Sequence, residues 1–156
     1  MHHFLSAHFL NFCRPLLACI VVCSFSQLAL AQTMVSVDRN TVNLRASAST
    51  NATILFELGK GYPLKVISRK GSWLEVRDFE NDKGWVHRPL VGNTAHLVVK
   101  VDSANVRSAP NTSSRILGKV EYGELLRTLD RRSQWVRVQR ESGAQGWVSR
   151  ALLWGW

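Results

Sequence analysis

Cysteine is absent from residues 32–156: Cys13, Cys19 and Cys23 all lie in the first 31 positions of this 156-residue chain. Past that point a disulfide framework, a thiol nucleophile and a cysteine-ligated zinc are excluded, and the redox state of the compartment is irrelevant to folding. Histidine is nearly as scarce there, with only His87 and His96, both read as ordinary surface residues. No Ser-His-Asp set, His-x-Glu cluster, glycine-rich phosphate loop or metal-ligand spacing is visible. The expectation is a chain with no catalytic residues, no metal and no cofactor, and therefore not an enzyme.

Acidic residues are missing from residues 1–31, where Arg14 is the one Lys or Arg. Residues 1–14 read as a weakly basic n-region, Leu16 to Phe25 as an apolar h-region, and Ala29-Leu30-Ala31 as a small-residue cleavage site. Residues 1–31 are therefore expected to be a cleaved signal peptide, with the mature chain starting at Gln32 and no transmembrane helix in it. The alternatives are a retained anchor and acylation at Cys19. Against an anchor, Ser24, Ser26 and Gln27 break the apolar run short of the roughly 20 residues that a span requires. Against acylation, Ile20-Val21-Val22 carry the run past the cysteine.

A sustained helical period is also lacking. What is present is a repeat, which has to be recognised before any element is assigned. An offset of 62 residues, without a gap, pairs Asn43-Leu44-Arg45 with Asn105-Val106-Arg107, Ile54-Leu55 with Ile116-Leu117, and Gly61 with Gly123. The same offset pairs Trp73 with Trp135, Gly84-Trp85-Val86 with Gly146-Trp147-Val148, and Arg88 and Leu90 with Arg150 and Leu152. Two copies of one small domain are expected, at residues 34–91 and 96–156, joined by Gly92-Asn93-Thr94-Ala95. So short a joint favours domains that touch, because a domain of about 60 residues buries a limited share of its surface alone.

Within each copy the apolar residues recur every second position, as in Leu64 and Val66 or Leu74 and Val76, in runs of four to seven residues separated by turns rich in Gly, Ser and Asn. The expected class is all-β, two small barrels in tandem, with closure hiding the strand edges.

The order Asn-[Leu/Val]-Arg, polar loop, Ile-Leu, Gly, Trp-[Leu/Val]-x-Val, polar turn, Gly-Trp-Val, Arg-x-Leu resembles the bacterial SH3 domain, twice over. Residues 105–112, Trp135-Val136-Arg137-Val138 and Gly146-Trp147-Val148 carry its most typical signature. The first copy departs from it, with Ala46-Ser47-Ala48-Ser49 where the second keeps Pro110-Asn111, so its loop is expected to be looser. The resemblance implies five-to-seven-stranded barrels, export, and a recognition role of the kind attached to cell-wall enzymes. It does not fix the ligand.

Candidate residues follow from alternation and charge. Leu74 with Val76, and Val136 with Val138, take one face of their strands, which places Trp73 and Trp135 on the other. Those rings are candidates for ligand stacking, the alternative being lids on a barrel rim. Arg131, Arg132 and Arg137 surround Trp135 and extend the candidate surface toward anionic polymers. Gly84 with Trp85 and Gly146 with Trp147 are assigned structural roles in a short late strand whose large ring closes one end of the barrel, and Arg45 and Arg107 a structural role as a donor fork holding the first loop. Tyr62 and Tyr122 do not align under the offset, so no shared binding role is expected of them. Leu153-Trp154-Gly155-Trp156 is expected to tuck in as a final strand against a barrel or the partner domain.

Past residue 31 there are nineteen basic and eleven acidic residues, a net charge of +8. Together these readings describe an exported, periplasmic or secreted, non-catalytic module that binds an envelope component, peptidoglycan or its stem peptides foremost. The alternatives are an adaptor that docks an envelope enzyme, and a purely structural envelope protein. Nucleic acid is not an expected partner of an exported chain, and the oligomeric state is not readable.

Overall fold

The computed structural model describes residues 33–156, so the expected signal peptide at 1–31 lies outside the described residues. Two seven-stranded antiparallel sheets account for them. The first comprises β1 (Met34–Val37), β2 (Thr41–Arg45), β3 (Ile54–Gly59), β4 (Pro63–Lys70), β5 (Trp73–Arg77), β6 (Lys83–His87) and β7 (Val91–Gly92). The second comprises β8 (His96–Val99), β9 (Ser103–Arg107), β10 (Ile116–Glu121), β11 (Leu125–Arg132), β12 (Trp135–Gln139), β13 (Gln145–Ser149) and β14 (Leu153–Gly155). Each strand of the second sheet starts 62 residues after its counterpart in the first. Single 3-10 turns, Arg88–Leu90 and Arg150–Leu152, lead into β7 and β14.

Each sheet runs in the order β3-β2-β6-β5-β4-β1-β7 or its equivalent and wraps its own core. In the first, Val37, Val42, Leu44, Leu64, Val76 and Val86 are at most 2% exposed. Leu97, Val99, Leu126, Val136, Val138 and Val148 fill the second equally tightly. These are the alternate residues of each run, as period-two patterning demands.

Closure differs from the sequence expectation. Among the described residues the end strands β3 and β7 do not pair, nor do β10 and β14, so each barrel keeps two edges. Ile54, Leu55 and Phe56 on β3 and Ile116 and Leu117 on β10 stay exposed there. Bulges expose two further apolar residues inside the sheets. Ladder register shifts between Val66 and Ser68, and between Thr128 and Asp130, leaving Ile67 and Leu129 without partners and facing solvent.

The two sheets pack against one another, and the described residues belong to one compact unit. Trp156, at the end of the second sheet, lies against the core of the first. Its N–H donates to the His96 carbonyl at 3.1 Å, and its own carbonyl accepts the Thr128 hydroxyl at 2.7 Å. Gly155 has φ +118°, and a Cβ there would meet the His96 carbonyl and Pro63, so the strand can pass only as glycine.

Candidate functional site

Trp73 opens β5 directly opposite His87 of β6, and their rings stand 5.1 Å apart. Beside them is a groove of about 420 Å³ whose lining includes Asn43, Arg45, Thr50, Glu57, Trp73 and His87. His87 is therefore half-buried as a ring partner, which corrects its reading as an ordinary surface residue. The groove holds its shape because Arg45 donates from Nη1 to the Ala52 carbonyl at 2.8 Å, tying the β2–β3 loop back onto the sheet.

The second sheet repeats the frame with different side chains. Arg107 donates to the Ser114 carbonyl at 2.8 Å, matching Arg45. Trp135 faces Ser149 where Trp73 faces His87, and Lys119 stands opposite Asn105 where Glu57 stands opposite Asn43. Arg132 lies opposite Trp135, and Arg137 follows on the same face of β12, so these three residues share one outer surface. Arg131 lies opposite Val136, off that row.

The arginines are partly engaged. Arg132 pairs with Asp130 at 3.2 Å and sets its guanidinium 5.5 Å from the Trp147 ring centre, and Arg137 donates to Gln145 Oε1 at 3.0 Å. Their planar forks thus brace the aromatic surface as well as charging it.

Trp85 and Trp147 stand on this outer face too. Val86 and Val148 take the core side of β6 and β13, which turns the tryptophans outward opposite Glu75 and Arg137. Trp147 is nonetheless 8% exposed, covered by its neighbours on that surface, and Trp85 is half-buried. Gly84 and Gly146 let the strand pass the β2 or β9 backbone: a Cβ on Gly84 would fall 2.6 Å from Leu44 Cγ and 3.0 Å from the Arg45 carbonyl. At Gly146 the obstacles are Val106 Cγ1 and the Arg107 carbonyl.

Tyr62 and Tyr122, which the repeat offset leaves unpaired, meet through Phe79. Ring centres lie 6.3 Å apart for Tyr62 and Phe79 and 5.5 Å apart for Phe79 and Tyr122. The contact joins non-equivalent faces of the two copies, so alignment of the copies could not reveal it. Tyr122 donates to Glu80 at 2.6 Å, which holds its phenol above the usual range. Tyr62 donates to buried Asp78, and burial, then that carboxylate, pushes its phenol up as well.

Asp78 also accepts the N–H groups of Glu80 and Asp82. Asp78, Glu80 and Asp82 bring carboxylate oxygens within 4.8 Å of one another, a spacing the sequence reading did not register. Here they serve the loop and the contact between sheets. The positions equivalent to Tyr62 and Asp78 are Glu124 and Arg140, where Arg140 donates at 2.7 and 3.1 Å. One link is kept in both copies with donor and acceptor exchanged.

His96 corrects a second surface reading. Its ring lies against Gly61, where a Cβ would fall 2.9 Å from Cδ2, and Nδ1 contacts the Thr94 carbonyl at 3.0 Å. Burial lowers its pKa below 6.5, Arg127 and Lys60 add to that push, and the Thr94 contact opposes it. Because the folded value is depressed, the unfolded chain binds the proton more readily, and stability is lost as pH falls below 6.5 toward the folded value. Thermal midpoints are therefore expected to drop as pH falls from about 8 to about 5.5, across the ordinary imidazole value, and His96→Gln is expected to flatten part of that drop. An equal slope in the variant would remove His96 as its source.

Comparison with known proteins now bears on this geometry. The bacterial SH3 domain family matches residues 40–92 and again 102–153. YrvJ of Bacillus subtilis, named as a candidate N-acetylmuramoyl-L-alanine amidase, is 27% identical over 150 residues, covering 86% of this chain and 29% of its own. The probable cell wall amidase LytH of Staphylococcus epidermidis is 35% identical over 49 residues, 31% of this chain and 17% of that protein. This chain thus spans less than a third of either relative.

Among solved structures, NlpC1 from Trichomonas vaginalis is 19% identical with a TM-score of 0.37, over 78% of this chain and 45% of that one. An NlpC/P60 family protein from Bacillus cereus is 15% identical with a TM-score of 0.37, over 80% and 56%. With one match on each repeat, together covering more than half of its length, the chain belongs to the bacterial SH3 domain family, whose fold it carries as a tandem pair.

Proposed function

We propose that this is an exported, non-catalytic module that binds peptidoglycan or its stem peptides through the outer faces of its two sheets. The observation that carries the reading is the Trp73–His87 groove with its counterpart row of Trp135, Arg132 and Arg137. Flat rings edged by hydrogen-bonding groups suit sugars and short peptides, and aromatic residues with arginine concentrate at binding surfaces. LytH is named a probable cell wall amidase and YrvJ a candidate N-acetylmuramoyl-L-alanine amidase, which supports a wall location for the stretch they share with this chain. In this reading residues 34–91 and 96–156 are the two binding units and residues 1–31 the cleaved leader. No residue is assigned to catalysis. Two faces reaching one polymer would gain avidity, since the second contact is intramolecular.

The test is co-sedimentation with purified, protein-free sacculi at moderate salt. The protein is expected to pellet, and Trp73→Ala with Trp135→Ala, checked for retained folding, is expected to weaken binding by about ten-fold or more. Equal pelleting by the variant, or pelleting abolished by salt alone, would reject recognition by the rings.

A second reading, an adaptor that docks an envelope enzyme, draws on the exposed edges: Ile54, Leu55 and Phe56 on β3 and Ile116 and Leu117 on β10 offer strand addition to a protein partner. Loss of sacculus binding together with crosslinking to an envelope protein through β3 or β10 would favour it.

A further inference from the structure

A cleft of about 970 Å³ lies between the two sheets, at the upper end of the range of small-molecule sites. Asn40, Gly59 and Lys60 line it from the first sheet, and His96, Arg127 and Arg140 are among those lining it from the second. Pockets at such junctions are frequent ligand sites. The ring-bearing faces play no part in this one.

Its charges do not balance internally. Glu124 accepts two hydrogen bonds from Arg140 at 2.7 and 3.1 Å, which closes that pair. Lys60 and Arg127 are exposed, lie on opposite sheets, and have no ion pair among the described residues. Both line the cleft together with His96. Glu141 is the one remaining carboxylate in the lining. A group with several anionic oxygens placed in the cleft would meet these two cations through charge-assisted contacts.

We propose that this cleft is an anion-binding site, holding a carboxylate- or phosphate-bearing ligand between Lys60 of the first sheet and Arg127 of the second, beside His96. Neither sheet makes the site alone, so its existence depends on the packing of Trp156 and of the Tyr62–Phe79–Tyr122 rings. His96 couples the site to pH. With Nδ1 donating to the Thr94 carbonyl, neutral His96 presents an unprotonated Nε2. An anion facing Lys60, Arg127, Arg140, Glu124 and Glu141 favours a proton there, so ligand uptake brings proton uptake and binding tightens as pH falls.

The test uses the whole protein with two probes, inorganic phosphate and the dipeptide alanyl-glutamate, and glycerol as the neutral control. Calorimetry reports binding, and NMR reports the titration of the His96 ring. One or both probes are expected to bind with one-to-one stoichiometry, with the His96 titration moving upward in the bound state. Lys60→Gln with Arg127→Gln is expected to weaken binding about ten-fold or more; both side chains are exposed, so the fold should persist.

The tighter probe identifies whether phosphate or carboxylate is the natural group, and either supports the site. Absence of saturable binding at millimolar probe, unchanged affinity in the double variant, or an unmoved His96 titration would each overturn it. Sacculus pelleting keeps this separate from recognition by the rings. Anion binding without pelleting would reject the ring reading and leave the cleft standing, and pelleting without anion binding would reject the cleft alone.

Discussion

A chain shortened by residues 153–156 is expected to lose its second sheet as a cooperative unit and to weaken the first. Leu153 is 5% exposed in the second core, and β14 pairs with β8 through Leu153, Trp154 and Gly155. Removing a buried leucine costs about 2–5 kcal/mol. Trp156 adds the area it covers on the first core, of order 2 kcal/mol for a half-buried indole. The total approaches the roughly 5–15 kcal/mol that holds a small domain folded. Thermal unfolding followed by circular dichroism should show a midpoint lowered by ~15 °C or more. Trp156→Ala alone keeps β14 and isolates the contact between sheets, with a drop of about one third to one half as large. A truncated chain melting within a few degrees of the full one would mean that β14 and Trp156 contribute little to either core.

Next in size come Gly84→Ala and Gly146→Ala. The added methyl would sit 2.6 Å from Leu44 Cγ in one copy and against Val106 in the other, with a backbone carbonyl 3.0 Å away in each. Leu44 and Val106 are core residues, 0% and 4% exposed, and a carbonyl within a paired strand has little room to yield. Overpacking of this kind costs about 1–3 kcal/mol, or ~10 °C in midpoint for a chain of this size. Gly59→Ala and Gly118→Ala, where nothing lies within 4 Å of the new carbon, are the matched controls and should change little. Equal effects at all four positions would point to chain entropy, not close strand approach.

Much of this architecture was legible because the two copies read each other. The offset of 62 residues reproduces every strand start, and alternation sorts Leu74, Val76, Val136 and Val138 inward and Trp73 and Trp135 outward. The same alternation carries the rings of Trp85 and Trp147 onto the outer face, where Trp147 is packed down to 8% exposure. Other features are hidden from pattern. A bulge inserts a residue without a sequence mark, so Ile67 and Leu129 look like strand interiors yet face water.

The short joint announced a contact between the copies, but not the side chains that make it. That contact is built from non-equivalent surfaces, Tyr62 and Phe79 of one copy against Tyr122 of the other, and the repeat offset carries no information about such a pairing. His96 is half-buried for the same reason, because its cover comes from Gly61 in the other sheet rather than from its own neighbours.

Recognition of the wall by the rings is tested most directly by the indole N–H resonances of the six tryptophans during titration with solubilised peptidoglycan fragments. Trp73 and Trp135 are expected to move most, with Trp85 and Trp147 following weakly on the same faces, while Trp156, against the core of the first sheet, stays in place. Saturable shifts confined to other positions, with Trp73 and Trp135 unmoved, would contradict recognition by these rings.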